Sequence, residues 1–122
     1  MDVSIIIVSY NTRQLTQDCI NSIFHYTHGV SFEVIVVDND SVDGSKEMLA
    51  ADKRICYVQS GGNLGFGKAN NLGYSVAQGK YLFLLNSDTI LLNNAVKIFF
   101  DIAEGDSVDV GCWGTMLLNK EG

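Results

Sequence analysis

Along this chain the apolar positions switch between near-continuous runs and stripes spaced three or four apart, and the switches mark out the elements. Val3-Ser4-Ile5-Ile6-Ile7-Val8-Ser9 is β-branched and apolar at nearly every position, which predicts a strand buried on both faces. Leu15, Cys19, Ile20, Ile23 and Phe24 then fall on one helical face through about Tyr26, with Asn11 or Thr12 as the N-cap. Phe32-Glu33-Val34-Ile35-Val36-Val37 predicts a second buried strand, ending at Asp38. A short helix over Ser41 to Ala50 follows, opened by Ser41 or Asp43, and Ile55-Cys56-Tyr57-Val58 predicts a third strand. A glycine-rich loop from Gly61 leads into a helix from about Phe66 to Ala77. Tyr81-Leu82-Phe83-Leu84-Leu85 predicts a fourth buried strand, ending at Asn86-Ser87-Asp88. Ala95 to Ala103 predicts one more amphipathic helix, and Val108 to Leu118 a final strand.

Strands and helices alternating at these lengths imply an α/β fold, an open, mostly parallel sheet with helices on both faces. No repeat, low-complexity segment or linker interrupts it, so residues 1–122 read as a single domain. In such sheets ligands bind outside the carboxyl ends of the strands. That rule selects Ser9-Tyr10-Asn11, Asp38-Asn39-Asp40, the loop from Gly61 to Asn71, and Asn86-Ser87-Asp88. All are polar or glycine-rich, and their convergence is the main sign of a site.

Composition narrows the classes. The chain is long enough to bury roughly two-thirds of its unfolded surface, and 47% apolar with 18% charged residues is ordinary for a globular protein. The net charge of −6 and pI near 4.6 argue against nucleic acid as a partner. They leave room for a phosphorylated ligand bridged by a divalent cation. No run approaches the ~20 apolar residues of a transmembrane segment. The N-terminus lacks the pattern of a secretory signal, which predicts a cytoplasmic location. Cys19, Cys56 and Cys112 are widely spaced and belong to no CxxC pair, so all three are expected to be small buried hydrophobes.

Asp38 ends an apolar strand, where a carboxylate accepts hydrogen bonds from a ligand at the sheet rim. Asp40, Ser41 and Asp43 suit turn and capping work. Asp88, with Asn86 nearby, offers the hard oxygen ligands that Mg²⁺ or Mn²⁺ prefer. The loop Gly61-Gly62-Asn63-Leu64-Gly65-Phe66-Gly67-Lys68-Ala69-Asn70-Asn71 touches two phosphate motifs and completes neither. Ala69 replaces the metal-binding hydroxyl of a Walker A loop, and Asn70 stands at the third glycine of a dinucleotide fingerprint. Asn63, Asn70 and Asn71 remain as amides able to contact ribose, base or phosphate. His25 and His28 close the first helix, where the dipole favours them. No serine has the partners of a hydrolase triad.

Four segments in order resemble family 2 glycosyltransferases: Val3 to Asn11; Val36-Val37-Asp38-Asn39-x-Ser41-x-Asp43-Gly44-Ser45; Asn63-x-Gly65-Phe66-Gly67-x-Ala69-Asn70-Asn71-x-Gly73; and Leu84-x-Asn86-Ser87-Asp88. The likeness is nearest to a bacterial subgroup that includes rhamnosyltransferase-like enzymes of surface polysaccharide assembly. It implies a GT-A fold and an inverting transfer of sugar from a UDP- or dTDP-linked donor to a saccharide or lipid-linked saccharide acceptor. Ser9, Tyr10 and Asn11 match the loop that lines the base, and Asp38 the carboxylate that reads it. Asn63, Lys68 and Asn70 fall in the third motif, where Asn70 replaces an arginine common in relatives. Asn86-Ser87-Asp88 matches the DxD element, with Asp88 as the ligand of Mg²⁺ or Mn²⁺ and Asn86 in place of the first Asp.

The resemblance also implies an acidic general base beyond the DxD element. Asp101, Glu104 and Asp106 read as solvated helix residues, so no base is expected before Gly122. Met116 to Gly122 reads as a strand entering a hairpin turn without its return strand. The chain is therefore expected to be the nucleotide-sugar-binding part of a longer enzyme, acting at the inner face of the membrane and inactive alone. Its unfinished sheet would favour self-association. Two other classes compete: a non-catalytic nucleotide-binding module, and a dinucleotide-dependent oxidoreductase, against which the absence of glycine after the first strand counts.

Overall fold

A computed structural model describes residues 1–105. The elements run β1 (Val3–Ser9), α1 (Arg13–Tyr26), β2 (Phe32–Asp38), α2 (Ser45–Ala51), β3 (Cys56–Gln59), α3 (Phe66–Val76), β4 (Tyr81–Asn86) and α4 (Ala95–Gly105). The strands form one sheet in the order β3-β2-β1-β4, every pair parallel. The sequence pattern predicts this architecture, and the open parallel sheet is what the structure shows. The expected strand over Val108 to Leu118 lies outside the described residues.

β1 and β2 are central and paired over seven residues, from Val3↔Phe32 to Ser9↔Asp38. Their alternation divides the core in two. Ile5, Ile7, Val34 and Val36 pack with Cys19, Ile20 and Ile23 of α1, Leu49 of α2 and Val96 of α4. Ile6, Val8, Ile35 and Val37 face the opposite way and pack on Ala69 and Leu72 of α3. Each fully buried isoleucine here contributes about 2–3 kcal/mol relative to exposure. Gly73 lets α3 lie close on the sheet, since a Cβ there would stand 2.8 Å from Ile6 Cγ2.

Several expectations need correction. β4 is not buried on both faces: Phe83 and Leu85 join the α1 side, but Leu82 and Leu84 are 42% and 57% exposed. Both lie toward the α3 face, and α3 packs over β1 and β2 instead. Cys56 is exposed, because it opens the short edge strand β3 beyond the reach of α3; Cys19 is buried as expected, and Cys112 lies outside the described residues.

Neither Asn11 nor Thr12 caps α1 with its side chain. The first turn is held from the loop after β2, where Arg13 N donates to Asp43 Oδ2 at 3.0 Å. α2 begins at Ser45 rather than Ser41, after a turn in which Asp40 and Gly44 take positive φ. Asp43 serves that start, accepting from the backbone N–H and hydroxyl of Ser45. The Ser45 hydroxyl is the main cause that holds Asp43 below the usual carboxylate range.

Candidate functional site

The carboxyl ends of β1, β2 and β4 open into a cleft of about 430 Å³ between the starts of α1 and α3. The two-residue period of the strands decides which side chains reach it. Ile6 and Val8 face α3, so Tyr10 continues on that side and lines the cleft. Val37 faces α3, and Asn39 follows it into the cleft. Asn86 pairs with Val8 and shares its face, and Ser87 and Asp88 complete the β4 rim. Asn63, Gly65 and Phe66 form the opposite wall, and Thr12 and Leu15 come from the α1 side.

The same alternation takes Ser9 and Asp38 away. Both continue the Ile5–Ile7 and Val34–Val36 face toward α1 and α2, and both are fully buried. Ser9 Oγ lies 2.9 Å from Thr16 Oγ1. Asp38 Oδ2 accepts from Ser41 N at 3.0 Å and Gln59 Nε2 at 3.2 Å. Its Oδ1 has no partner among the described residues. Asp38 and Asp88 therefore occupy one rim of the sheet, with Asp88 lining the cleft and Asp38 buried at the end of β2.

The remaining expected residues divide similarly. Asn11, at φ 52°, is exposed and is engaged in a turn: its N–H donates to Ser41 Oγ and its Oδ1 accepts from Val42 N, each at 2.9 Å. Asn70 lies one turn into α3 and donates to Phe66 O at 3.1 Å, and Lys68 stands exposed on the same helix. Neither lines the cleft. The structure thus brings Tyr10, Asn63, Asn86, Ser87 and Asp88 together and leaves Ser9, Asn11, Asp38, Lys68 and Asn70 outside.

Asn39 is the side chain that motif reasoning passed over. It is 4% exposed, donating from Nδ2 to Asn63 Oδ1 and accepting from Leu64 N, each at 2.9 Å. Asn63 Oδ1 also accepts from Gly65 N at 3.2 Å, and Gly65 takes φ +81° at the N-cap of α3. One buried amide therefore holds the glycine loop and sets where Phe66 starts its helix. Phe66 and Tyr10, 58% and 45% exposed, are aromatic rings left facing solvent in the cleft. Strand alternation puts Asn39 on the face of Val37, and the packing of α3 decides that this face carries the cleft.

Among the described lining residues Asp88 carries the one formal charge. Beneath the same turn, Cys19 Sγ lies 3.7 Å from Asn86 O. Burial pushes its thiol up to about 11, a hydrogen bond with Thr89 opposes this, and the Asp88 charge adds to the rise. Cys19 is a neutral packing group at this turn. Elsewhere Asp101 pairs with Lys97 at 2.7 Å. Glu104 accepts from Lys80 Nζ at 2.7 Å and Tyr81 Oη at 2.9 Å, at the opposite end of β4 from Asn86. Asp106 lies outside the described residues.

An α/β sheet with a polar cleft at its carboxyl rim has the place where open parallel sheets bind their ligands. Residues 4–119 match the family described as Glycosyl transferase family 2, and the chain belongs to that family. It is 30% identical over 112 residues to the glycosyltransferase GlyG of Streptococcus pneumoniae, across 88% of this chain and 37% of that protein. S. aureus TarS 1-349 in complex with UDP-GlcNAc superposes with a TM-score of 0.71 at 26% identity, over 85% of this chain and 30% of that one. A mannosyltransferase from Pyrobaculum calidifontis, solved with GDP-Man and Mn²⁺, gives 0.70 at 22% identity over 78% of this chain and 30% of that one, a likeness of fold. The GT-A architecture expected from the sequence is therefore present. The chain spans between a third and two-fifths of the GlyG protein that it matches. No helix among the described residues is long and apolar enough to cross a membrane.

Proposed function

We propose that the cleft binds a UDP- or dTDP-linked sugar, with Mg²⁺ or Mn²⁺ at Asp88, for inverting transfer to a saccharide or lipid-linked saccharide hydroxyl. The observation that carries this reading is the chemistry of the lining. Exposed aromatic rings at Tyr10 and Phe66 suit a planar base. The Asn63, Asn86 and Ser87 side chains suit hydroxyls and phosphate oxygens.

The one charged group, Asp88, has the wrong sign for a diphosphate, and a divalent cation reconciles the two. No group of three or more His, Cys, Asp or Glu side chains able to hold a metal occurs among the described residues. Mg²⁺ and Mn²⁺ fit such a set, because they commonly take one or two carboxylates and complete their shell with water and substrate phosphate. The cation would be held by Asp88, with Asn86 beside it, and would supply the positive charge that stabilises a departing diphosphate.

In the proposed transfer the acceptor oxygen bonds to the anomeric carbon while the bond from that carbon to the diphosphate oxygen breaks. The acceptor proton passes to a carboxylate from outside the described residues, since Asp88 is the one acidic group lining the cleft. Asn39 holds the loop that carries Asn63 and Phe66, and so shapes the base end of the site. We place the whole protein in the cytoplasm at the inner face of the membrane, where lipid-linked acceptors are presented.

Thermal denaturation with ligands tests this. UDP or dTDP should raise the midpoint, more so with Mn²⁺, and NAD should leave it unchanged. Stabilisation by NAD and by neither nucleoside diphosphate would favour the dinucleotide-dependent oxidoreductase and sink the transferase reading. Equal stabilisation by UDP with and without Mn²⁺ would remove the metal from it.

A further inference from the structure

Four hydroxyls form a line from the sheet to the cleft. Ser9 Oγ lies 2.9 Å from Thr16 Oγ1, Thr16 Oγ1 lies 2.9 Å from Thr12 Oγ1, and Thr12 Oγ1 lies 3.2 Å from Ser87 Oγ. Each hydroxyl carries one proton and donates once. Across the last gap only Thr12 has the geometry of a donor, so a hydrogen bond there takes the Thr12 proton. Thr16 must then donate to Thr12, and Ser9 to Thr16. The Ser9–Thr12 approach of 3.4 Å is left without a proton, in keeping with its length.

A single direction therefore satisfies all three short contacts. Ser9 and Thr16 are fully buried, so their hydroxyls have no water to turn toward. The reverse sense, from Thr12 to Thr16 to Ser9 and back to Thr12 across the 3.4 Å gap, would leave Ser87 without its donor. A chain of this kind polarises each hydroxyl for the next. At its end Ser87 accepts from Thr12 and keeps its own proton, for which no acceptor occurs among the described residues. That free donor belongs to a side chain lining the cleft next to Asp88.

We propose that the Ser9–Thr16–Thr12 chain fixes the Ser87 hydroxyl as a hydrogen-bond donor to a diphosphate oxygen of the bound nucleotide, with Thr12 as the positioning residue. The inference rests on the nucleotide-sugar reading above and adds to it. Thr12 makes no side-chain cap at the start of α1, and its short hydroxyl contacts are to Thr16 and Ser87. The chain of hydroxyls also ties the end of β1 to the end of β4, so that the two rims of the cleft keep a fixed spacing.

Calorimetric titration with UDP and with uridine, both in Mn²⁺, separates anion contact from general folding. Thr12→Val and Ser87→Ala should each weaken UDP binding about fivefold, as loss of one hydrogen bond implies. The double variant should be no weaker than either single one, because both remove the same contact. Uridine affinity should match wild type throughout, and Thr12→Ser should restore UDP binding. UDP affinity unchanged in Thr12→Val overturns the proposal. So does an equal loss for uridine, which marks a structural role, or losses that add in the double variant. Should Thr12→Val fail to fold, Ser87→Ala and Thr12→Ser decide it: normal UDP binding by the first, or impaired binding by the second, defeats the relay. A wild-type chain that binds neither UDP nor dTDP overturns the nucleotide-sugar reading and the relay together.

Discussion

The two ends of the sheet are built from similar residue types and do opposite things with them. At the amino end the polar groups satisfy one another. Ser4 Oγ donates to Glu33 Oε2 at 2.6 Å and accepts from Gly79 N at 2.7 Å, while Gln78 N donates to the same Glu33 oxygen at 2.7 Å. Asp2 and Ser31 exchange hydrogen bonds of 2.8 and 3.0 Å, and Lys80 pairs with Glu104. At the carboxyl end the Ser87 proton and the Asp88 carboxylate have no hydrogen-bond partner among the described residues, and two aromatic rings face solvent. A closed network stabilises the chain, and an open one is free to bind. The open end is the carboxyl end, where parallel sheets bind their ligands.

The comparison breaks most visibly at Gly79. A Cβ there would overlap the backbone nitrogen of Ser4 and lie 2.6 Å from the carbonyl carbon of Val3. Gly79→Ala should cost about 3 kcal/mol in urea denaturation, because backbone cannot move aside as a side chain can. The UDP affinity of whatever folds should be unchanged. A variant as stable as wild type would show that the amino end is looser than its contacts imply.

Asp88→Ala is the converse, with function lost and fold kept. The metal-dependent gain in UDP binding should vanish, while ligand-free stability changes by less than about 0.5 kcal/mol, as for an exposed side chain without partners. Persistence of the Mn²⁺ effect would remove Asp88 from the site. Marked destabilisation would make the carboxyl rim structural too.

The smallest effect is that of pH. Hydrogen bonds from Ser31 hold Asp2 below its usual range, and Lys80 does the same for Glu104. Lowered folded-state values mean stability that is present above the unfolded values and lost as pH falls through the folded ones. Acid titration should therefore loosen the amino end slightly, since these pairs are exposed. Amide exchange near Asp2 and Lys80 that accelerates below the carboxylate range would show it; acceleration confined to the carboxyl rim would contradict it.

The fold was largely legible because its signals are local. Unbroken β-branched runs such as Ile5-Ile6-Ile7-Val8 and Val34-Ile35-Val36-Val37 read as buried strands, and both are buried throughout. Element ends were less legible. α2 starts four residues later than its polar residues suggest, because Asp38 and Asn11 bind the backbone of residues 41 and 42 first. β4 reads as apolar as β1, yet its exposure depends on where α3 lies, which no run of β4 residues encodes.

The site was legible as a set of loops and, at Tyr10, Asn63, Asn86, Ser87 and Asp88, as side chains that line one cleft. Motif likeness weights Asp38 because it is a carboxylate at a strand end, yet alternation along β2 turns it toward α2 and gives the cleft to Asn39. Lys68 and Asn70 sit in the right motif, on parts of α3 that do not line the cleft.

Hydrophobic period alone determined the parallel sheet, its rim and the loops that meet there, because burial of apolar runs admits few arrangements. Only the tertiary structure decided which residue of each pair faces the cleft and which hydroxyl donates to which. Those outcomes depend on angstrom-scale packing between segments as far apart in the chain as Thr12 and Ser87.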